Sequence, residues 1–273
     1  MPADFRTAVQ DRTFDKGIFL PQDDTSWFTR PPKYPARLLL LSEHCLSIIA
    51  HPSAGLPATD LALDELVQLE TGTILLHGWI QFSTPTATHH LIYNTRADRC
   101  LDEFIAAVRR RWLRAAGNIK DMSGKVFGQE LEIKFRNLLR YSLDPDEEVL
   151  LGYYMPPIEL LARWLIFPRI QSRPGHLIVL TSGNRLLWLK DEHRGRCERY
   201  AGIAISVPVW LLDSCAAIKR PDRYDFEIAF KSGAPWRFSV YDTRSDCLDF
   251  SQCLNAVANN AHGDLGRVIE CAR

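Results

Sequence analysis

Two spacings of apolar residues run through the chain. Short runs such as RLLLL (37–41), CLSIIA (45–50), HLIVL (176–180) and RLLWL (185–189) are separated by clusters of Ser, Gly, Asn and Pro. That is the pattern of strands joined by tight turns. Elsewhere the period is helical: Leu101, Phe104, Ile105, Val108 and Trp112 form one stripe, and Phe250, Cys253, Leu254 and Val257 form another. A third helical pattern, FGQELEIKFRNLLRYSL (127–143), sets Phe127, Leu131, Phe135, Leu138 and Leu139 on one side. DKGIFLP (15–21) and the stretch after LDPDEE (143–148) each predict a further strand.

The order of these elements occurs twice. YNTRADRCLDEF (93–104) returns as YDTRSDCLDF (241–250) with a one-residue gap, pairing Tyr93 with Tyr241, Asp98 with Asp246 and Cys100 with Cys247. Upstream, RLLLLSEHCLSII pairs with HLIVLTSGNRLLWL, and LALDELVQL (61–69) with VPVWLLDSC (207–215). TILLHGWIQF and HHLIYNT then pair with YDFEIAFK and WRFSVYDT. Each copy therefore predicts a run of antiparallel strands closed by one C-terminal helix. Asp98 and Asp246 stand where a carboxylate caps backbone N–H groups and meets the positive end of the helix dipole. The organisation expected is a first domain over 1–115, a helical connector over 116–144 and a second domain over 145–273.

Strands closed by one helix, with LTSGNRLLWL, ISVPVWLLDSC and the opening LDPDEEVLLGYY, resemble the bacterial pleckstrin-homology-like (PH-like) domains. The resemblance covers 145–260 well and 15–113 more weakly. It implies an α+β, mainly β fold: two bent antiparallel barrels of about seven strands, each with a C-terminal helix. It names no single activity, because that fold hosts lipid binders, peptide binders and oligomerisation modules. One departure stands out. From the opening strand to the next, the second copy is about eight residues longer (Val149–Leu177 against Ile18–Leu38), and the extra material centres on IELLARWLIFP. Leu160, Trp164, Leu165 and Phe167, beside Arg163 and Arg169, make this the candidate surface for a partner or a membrane. The basic motif that phosphoinositide-binding relatives carry in this connection is represented only by Arg163, Arg169 and Arg173.

Charge removes some classes of function. Lys and Arg total 33 and Asp and Glu 33, so no global field draws the chain to nucleic acid. Seven cysteines without a CxxC, and an N-terminus without an apolar signal core, predict a cytoplasmic setting with reduced thiols. Apolar runs fall short of the roughly 18 residues of a membrane span, which leaves a peripheral position at the inner membrane face as the alternative.

Candidate chemistry thins out when each signal is set beside its plain structural reading. MSGKV (122–126) lacks the spacing and the following Ser or Thr of a phosphate loop, and reads as a turn before a helix. His89 and His90 point to opposite faces of a strand. Cys100 and Cys247 read as small buried core residues. Arg109, Arg110, Arg111 and Arg114 read as a solvated helix face, and HRGRCERY (193–200) and KRPDR (219–223) as loops. No catalytic, metal or cofactor residue is assigned. The expectation is a non-enzymatic tandem module for an unidentified protein partner or for self-association. A lipid-headgroup or membrane-surface protein is the second reading, and an enzyme with a site between the domains, using His89, His90 or Asp98, the third.

Overall fold

The computed structural model describes residues 5–10, 12–21, 35–74, 77–94, 98–113, 125–128, 130–164, 167–192, 201–241 and 246–260. The chain is mainly β with helices, an α+β fold, as its two apolar periods predict. It divides into two compact units, Met1–Leu66 with Thr71–Ala115, and Val67–Glu70 with Ala116–Arg273.

The first unit opens with a short helix, α1 (Arg6–Val9). Strands β1 (Lys16–Leu20), β2 (Arg37–Leu41), β3 (Cys45–Ala50) and β4 (Thr59–Ala62) follow as an antiparallel meander in that order. A 3-10 turn at Leu63–Glu65 leads to β5 (Gln68–Ile74), whose first three residues are counted with the second unit, to β6 (His77–Ser83) and β7 (Thr88–Asn94), ordered β7-β6-β5, and then to α2 (Asp98–Trp112). Alternate residues of β2 point to opposite faces, yet Leu38, Leu39, Leu40 and Leu41 are all buried. One face is covered by Phe5 and Val9, which cluster with Leu38, Leu40, Ile49 and Phe19. The Phe5 ring meets Phe19 edge-on at 5.8 Å. α2 packs on β1 and the 3-10 turn, and Trp112 Nε1 donates to the Leu66 carbonyl at 2.8 Å.

In the second unit β8 (Lys125–Gly128) and α3 (Ile133–Ser142) precede β9 (Val149–Met155). β10 (Ile158–Trp164), β11 (Phe167–Arg173), β12 (His176–Thr181), β13 (Arg185–Glu192) and β14 (Ala201–Pro208) come next. A 3-10 turn at Val209–Leu211 then precedes β15 (Leu212–Lys219), β16 (Tyr224–Phe230), β17 (Trp236–Val240) and α4 (Asp246–Asn260). Five strands lie side by side as β14-β13-β12-β9-β8, and three as β15-β16-β17. Phe135 of α3 covers one face of the larger group, clustering with Tyr154, Leu177, Val179, Leu187 and Leu189. The alternate residues Tyr153 and Trp188 join an aromatic core with Phe226, Trp236, Phe238 and Phe250. On β16 and β17 the inward positions are apolar. Of the outward ones, Glu227 pairs with Arg237 at 2.7 Å and Asp225 with Arg223 of the preceding turn at 2.8 Å.

The helix read over 127–143 is shorter than expected. Phe127 lies in β8, paired in parallel with Tyr153 of β9, and the helix starts at Ile133. The free backbone edge of β9 supplies partners that a helical turn at 125–128 would forgo. Lys125 and Val126 of MSGKV accordingly belong to a strand, not to a turn. Residues 122–124 lie outside the described residues.

The repeat is visible in single hydrogen bonds. The first N–H of each 3-10 turn donates to the turn of the preceding hairpin, Leu63 to the His44 carbonyl and Val209 to that of Asn184, both at 2.9 Å. An offset of 146 residues relates Leu63 to Val209, Leu66 to Leu212 and Phe104 to Phe250, all buried. The same offset sets Leu101 against Cys247. Cys247 is fully buried while Cys100 is exposed, which corrects the expected pairing of the two cysteines as core residues. The gap between the copies is two residues wide at the helix start, and Cys100 falls beside the buried stripe.

Candidate functional site

The extra segment of the second copy is a β-hairpin. β10 and β11 pair only with each other, from Ile158 opposite Arg173 at the base to Trp164 opposite Phe167 at the tip. The apolar run therefore forms strands rather than the surface helix that its composition also allows. Leu165 lies outside the described residues, and of Leu160, Arg163, Trp164, Phe167 and Arg169 only the backbone is described. Register alone places them. Arg163 pairs with Pro168 and Arg169 with Ala162, both next to the tip, while Arg173 is at the base. At about 3.4 Å per residue, the four steps from Arg169 to Arg173 span roughly 14 Å.

Among the described residues, one deeply buried polar cluster went unassigned in the sequence. Arg185, at the start of β13, is 1% exposed, and its partner Glu147, just before β9, is 4% exposed at the side chain. Arg185 donates to both Glu147 oxygens, to Ser206 Oγ at 2.9 Å and to the Ser142 carbonyl at 2.6 Å. Glu147 also accepts from the Thr181 hydroxyl and from the Asp144 N–H. Burial alone would raise the Glu147 carboxyl, but the Arg185 guanidinium and the hydroxyl outweigh it and hold it below the usual carboxylate range. Every group here is spent joining the end of α3 to β9, β12, β13 and β14. The signal in the sequence was an arginine opening an apolar run, RLLWL, with a carboxylate just ahead of VLLGYY.

His176 sits in the aromatic core, 5.6 Å from both Trp188 and Phe238. Its Nδ1 accepts from Trp188 Nε1 at 3.2 Å, which fixes a neutral ring. Burial, with Lys190 nearby, lowers its pKa to about 4. It is a core residue without a nearby nucleophile or carboxylate in its described contacts.

Other expected residues fall apart in space or take up structural positions. His89 and His90 follow one another on β7, and the His90 carbonyl accepts from Arg37. Asp98 and Asp246 are the first residues of α2 and α4; the side chain of Asp98 lies outside the described residues. Arg111 is not a solvated charge, since it donates to the Ser42 carbonyl at 2.6 Å and pairs with Asp15 at 3.0 Å. KRPDR forms the β15–β16 turn, where Arg220 and Arg223 both reach Asp225 and hold its pKa near 2. Arg114 and HRGRCERY lie outside the described residues. Among the described residues no helix is long and apolar enough to cross a membrane.

No protein-family model and no curated protein matches this chain.

Proposed function

We propose that the chain is a non-enzymatic tandem module of two PH-like units, acting through protein–protein contact or self-association. The observation that carries this reading is the doubled element order. A four-strand meander, a 3-10 turn bonded to the preceding hairpin, three further strands and a 15-residue helix occur in each unit. That order is the one the PH-like resemblance implies, with each strand set bending into a partly open barrel. The described polar clusters support a binding rather than a catalytic role, since Arg185, Glu147, Arg111 and Asp225 are each engaged in holding turns or strands.

The hairpin β10–β11 is the surface that the second unit adds to the shared plan, and it is the proposed contact for a partner. The test replaces residues 158–173 by a short Gly-Ser linker and compares affinity capture with that of the intact chain. A specific partner retained by the intact chain and lost by the variant supports the reading. Turnover of a small-molecule substrate by the purified protein would sink it. A peripheral membrane role is the second reading, favoured by the apolar tip with Arg163 and Arg169 beside it. Co-sedimentation with anionic vesicles that disappears in Trp164→Ser with Phe167→Ser would establish that reading in place of the first.

A further inference from the structure

α3 lies on its sheet through Phe135, Leu138 and Leu139 and turns the rest of its surface away. At about 100° per residue, Ile133, Asn137 and Arg140 fall opposite that packed side, with Arg136 and Tyr141 flanking them. All five are exposed, Ile133 at 74% and Tyr141 at 83%. Those two are the most exposed large apolar side chains among the described residues. Eight residues of helix set them about 12 Å apart along the axis.

The charges on this helix have one sign. Its sequence, IKFRNLLRYS, holds Lys134, Arg136 and Arg140 and no carboxylate. Lys134 is engaged with Asp191 at 2.7 Å. Arg136 donates to the Leu131 carbonyl at 3.3 Å and stands 3.9 Å from the exposed Glu130. Arginine and tyrosine beside an apolar side chain are the composition of protein contact centres. The complementary occupant brings carboxylates to the two arginines and apolar groups to Ile133 and Tyr141. A second α3 does not qualify, because two such helices face to face would gather four arginines.

The chain's own sequence holds a segment that does. Residues 22–28, between β1 and β2, read QDDTSWF: adjacent carboxylates at Asp23 and Asp24, then adjacent rings at Trp27 and Phe28. They lie outside the described residues. Of the other long stretches outside them, HRGRCERY is basic, and 261–273 balances its charges and has no Phe, Trp or Tyr. Five steps from Asp23 to Phe28 reach up to about 17 Å, enough to serve both arginines and both apolar ends. We infer that the outward face of α3 takes residues 22–28 of a second copy of this chain. Asp23 and Asp24 meet Arg136 and Arg140, and Trp27 and Phe28 cover Ile133 and Tyr141. The inference rests on the self-association reading and names the surfaces it uses.

The test titrates the full chain into a fluorophore-labelled peptide of residues 21–28, PQDDTSWF, and follows anisotropy. Saturable binding is expected, and Arg136→Glu with Arg140→Glu, folded by far-UV circular dichroism, should weaken it at least about tenfold. Asp23→Arg with Asp24→Arg in the peptide should abolish binding to the unaltered chain and restore it to the Glu variant. Should that variant lose its fold, Arg136→Gln with Arg140→Gln carries the same loss. In sedimentation velocity, the unaltered chain should associate with rising concentration, and Trp27→Ser with Phe28→Ser should remain single. No saturable binding, or binding and association indifferent to the charge reversals, overturns the inference. A chain that stays single at every concentration while the peptide binds overturns the second copy as occupant. Because the linker replacement at 158–173 leaves α3 and residues 22–28 intact, a hairpin-dependent partner retained alongside such a failure would leave the proposed function standing.

Discussion

The two units follow one strand order but fasten it with ion pairs of opposite character. In the second unit Arg185 and Glu147 are almost wholly buried, and Thr181, Ser206 and the Ser142 carbonyl satisfy their remaining groups. In the first unit Arg12 bonds Ser47 of β3 and pairs with Asp60 of β4, with half of the Asp60 side chain in water. The same charges therefore carry different weights. A buried pair is fixed by geometry and costly to break from one side, whereas a solvated pair is screened and nearly free to lose. The covering helices show the same contrast in scale. α1 sets Phe5 and Val9 on its sheet, while the ten-residue α3 sets a Phe and several Leu side chains on its own.

Arg185→Ala leaves Glu147 buried without its partner and is expected to lower stability by about 3–5 kcal/mol. Arg12→Ala is expected to cost about 1 kcal/mol or less. Urea unfolding of the two variants decides whether burial sets the difference; equal losses would break the comparison. Replacing both members of the buried pair, Arg185→Met with Glu147→Leu, should recover most of the loss, because no uncompensated charge remains.

The next effect depends on pH. His176 occupies the place that Arg37 holds in the first copy, and its folded pKa near 4 lies below the ordinary histidine value of about 6.5. Between those values the unfolded chain binds a proton that the folded one refuses. Stability is therefore full above about pH 6.5, falls as pH drops towards 4, and takes no further loss from this group below. The steepest contribution is about 1.4 kcal/mol per pH unit. His176→Gln should flatten the dependence between pH 6.5 and 5 in denaturation curves, and an unchanged slope there would remove the assignment.

Smaller still, Asp98→Ala and Asp246→Ala are each expected to cost about 1 kcal/mol through loss of the carboxylate at the helix start. Thermal shifts read this directly, and no destabilisation in either variant would take away the shared role of the two positions. The smallest difference concerns thiols. Cys100 should react with a thiol reagent in the native protein and Cys247 only on unfolding, as their exposure requires. Equal native rates would place the two cysteines in the same setting after all.

Much of the strand plan was readable because its signals are local. RLLLL, CLSIIA, HLIVL and RLLWL are apolar runs bounded by turn residues, and each is a strand with its hairpin partner in register. The stripes at Leu101–Trp112 and Phe250–Val257 are local in the same way. Phe127 was misread because residues 127–143 satisfy a helical period, while the open edge of β9 that claims Phe127 is not a property of that segment. Of the candidate surface, the composition of 158–168 was legible and its hairpin form was not. A short apolar run suits a strand or an amphipathic helix equally until its backbone partner is known.

Taken alone, the sequence determined that one arrangement of strands and a closing helix is written twice, because periodicity and turn chemistry act over neighbouring residues. The tertiary structure decided where the polar groups go. It joined Arg185 to Glu147 across 38 residues and Asn255 to Cys215 across 40. Such pairings depend on which buried backbone and charged groups are left without water once the sheets and helices pack. Packing likewise decided that the two strand-to-helix junctions at 93–104 and 241–250, alike in sequence, differ in which cysteine is buried.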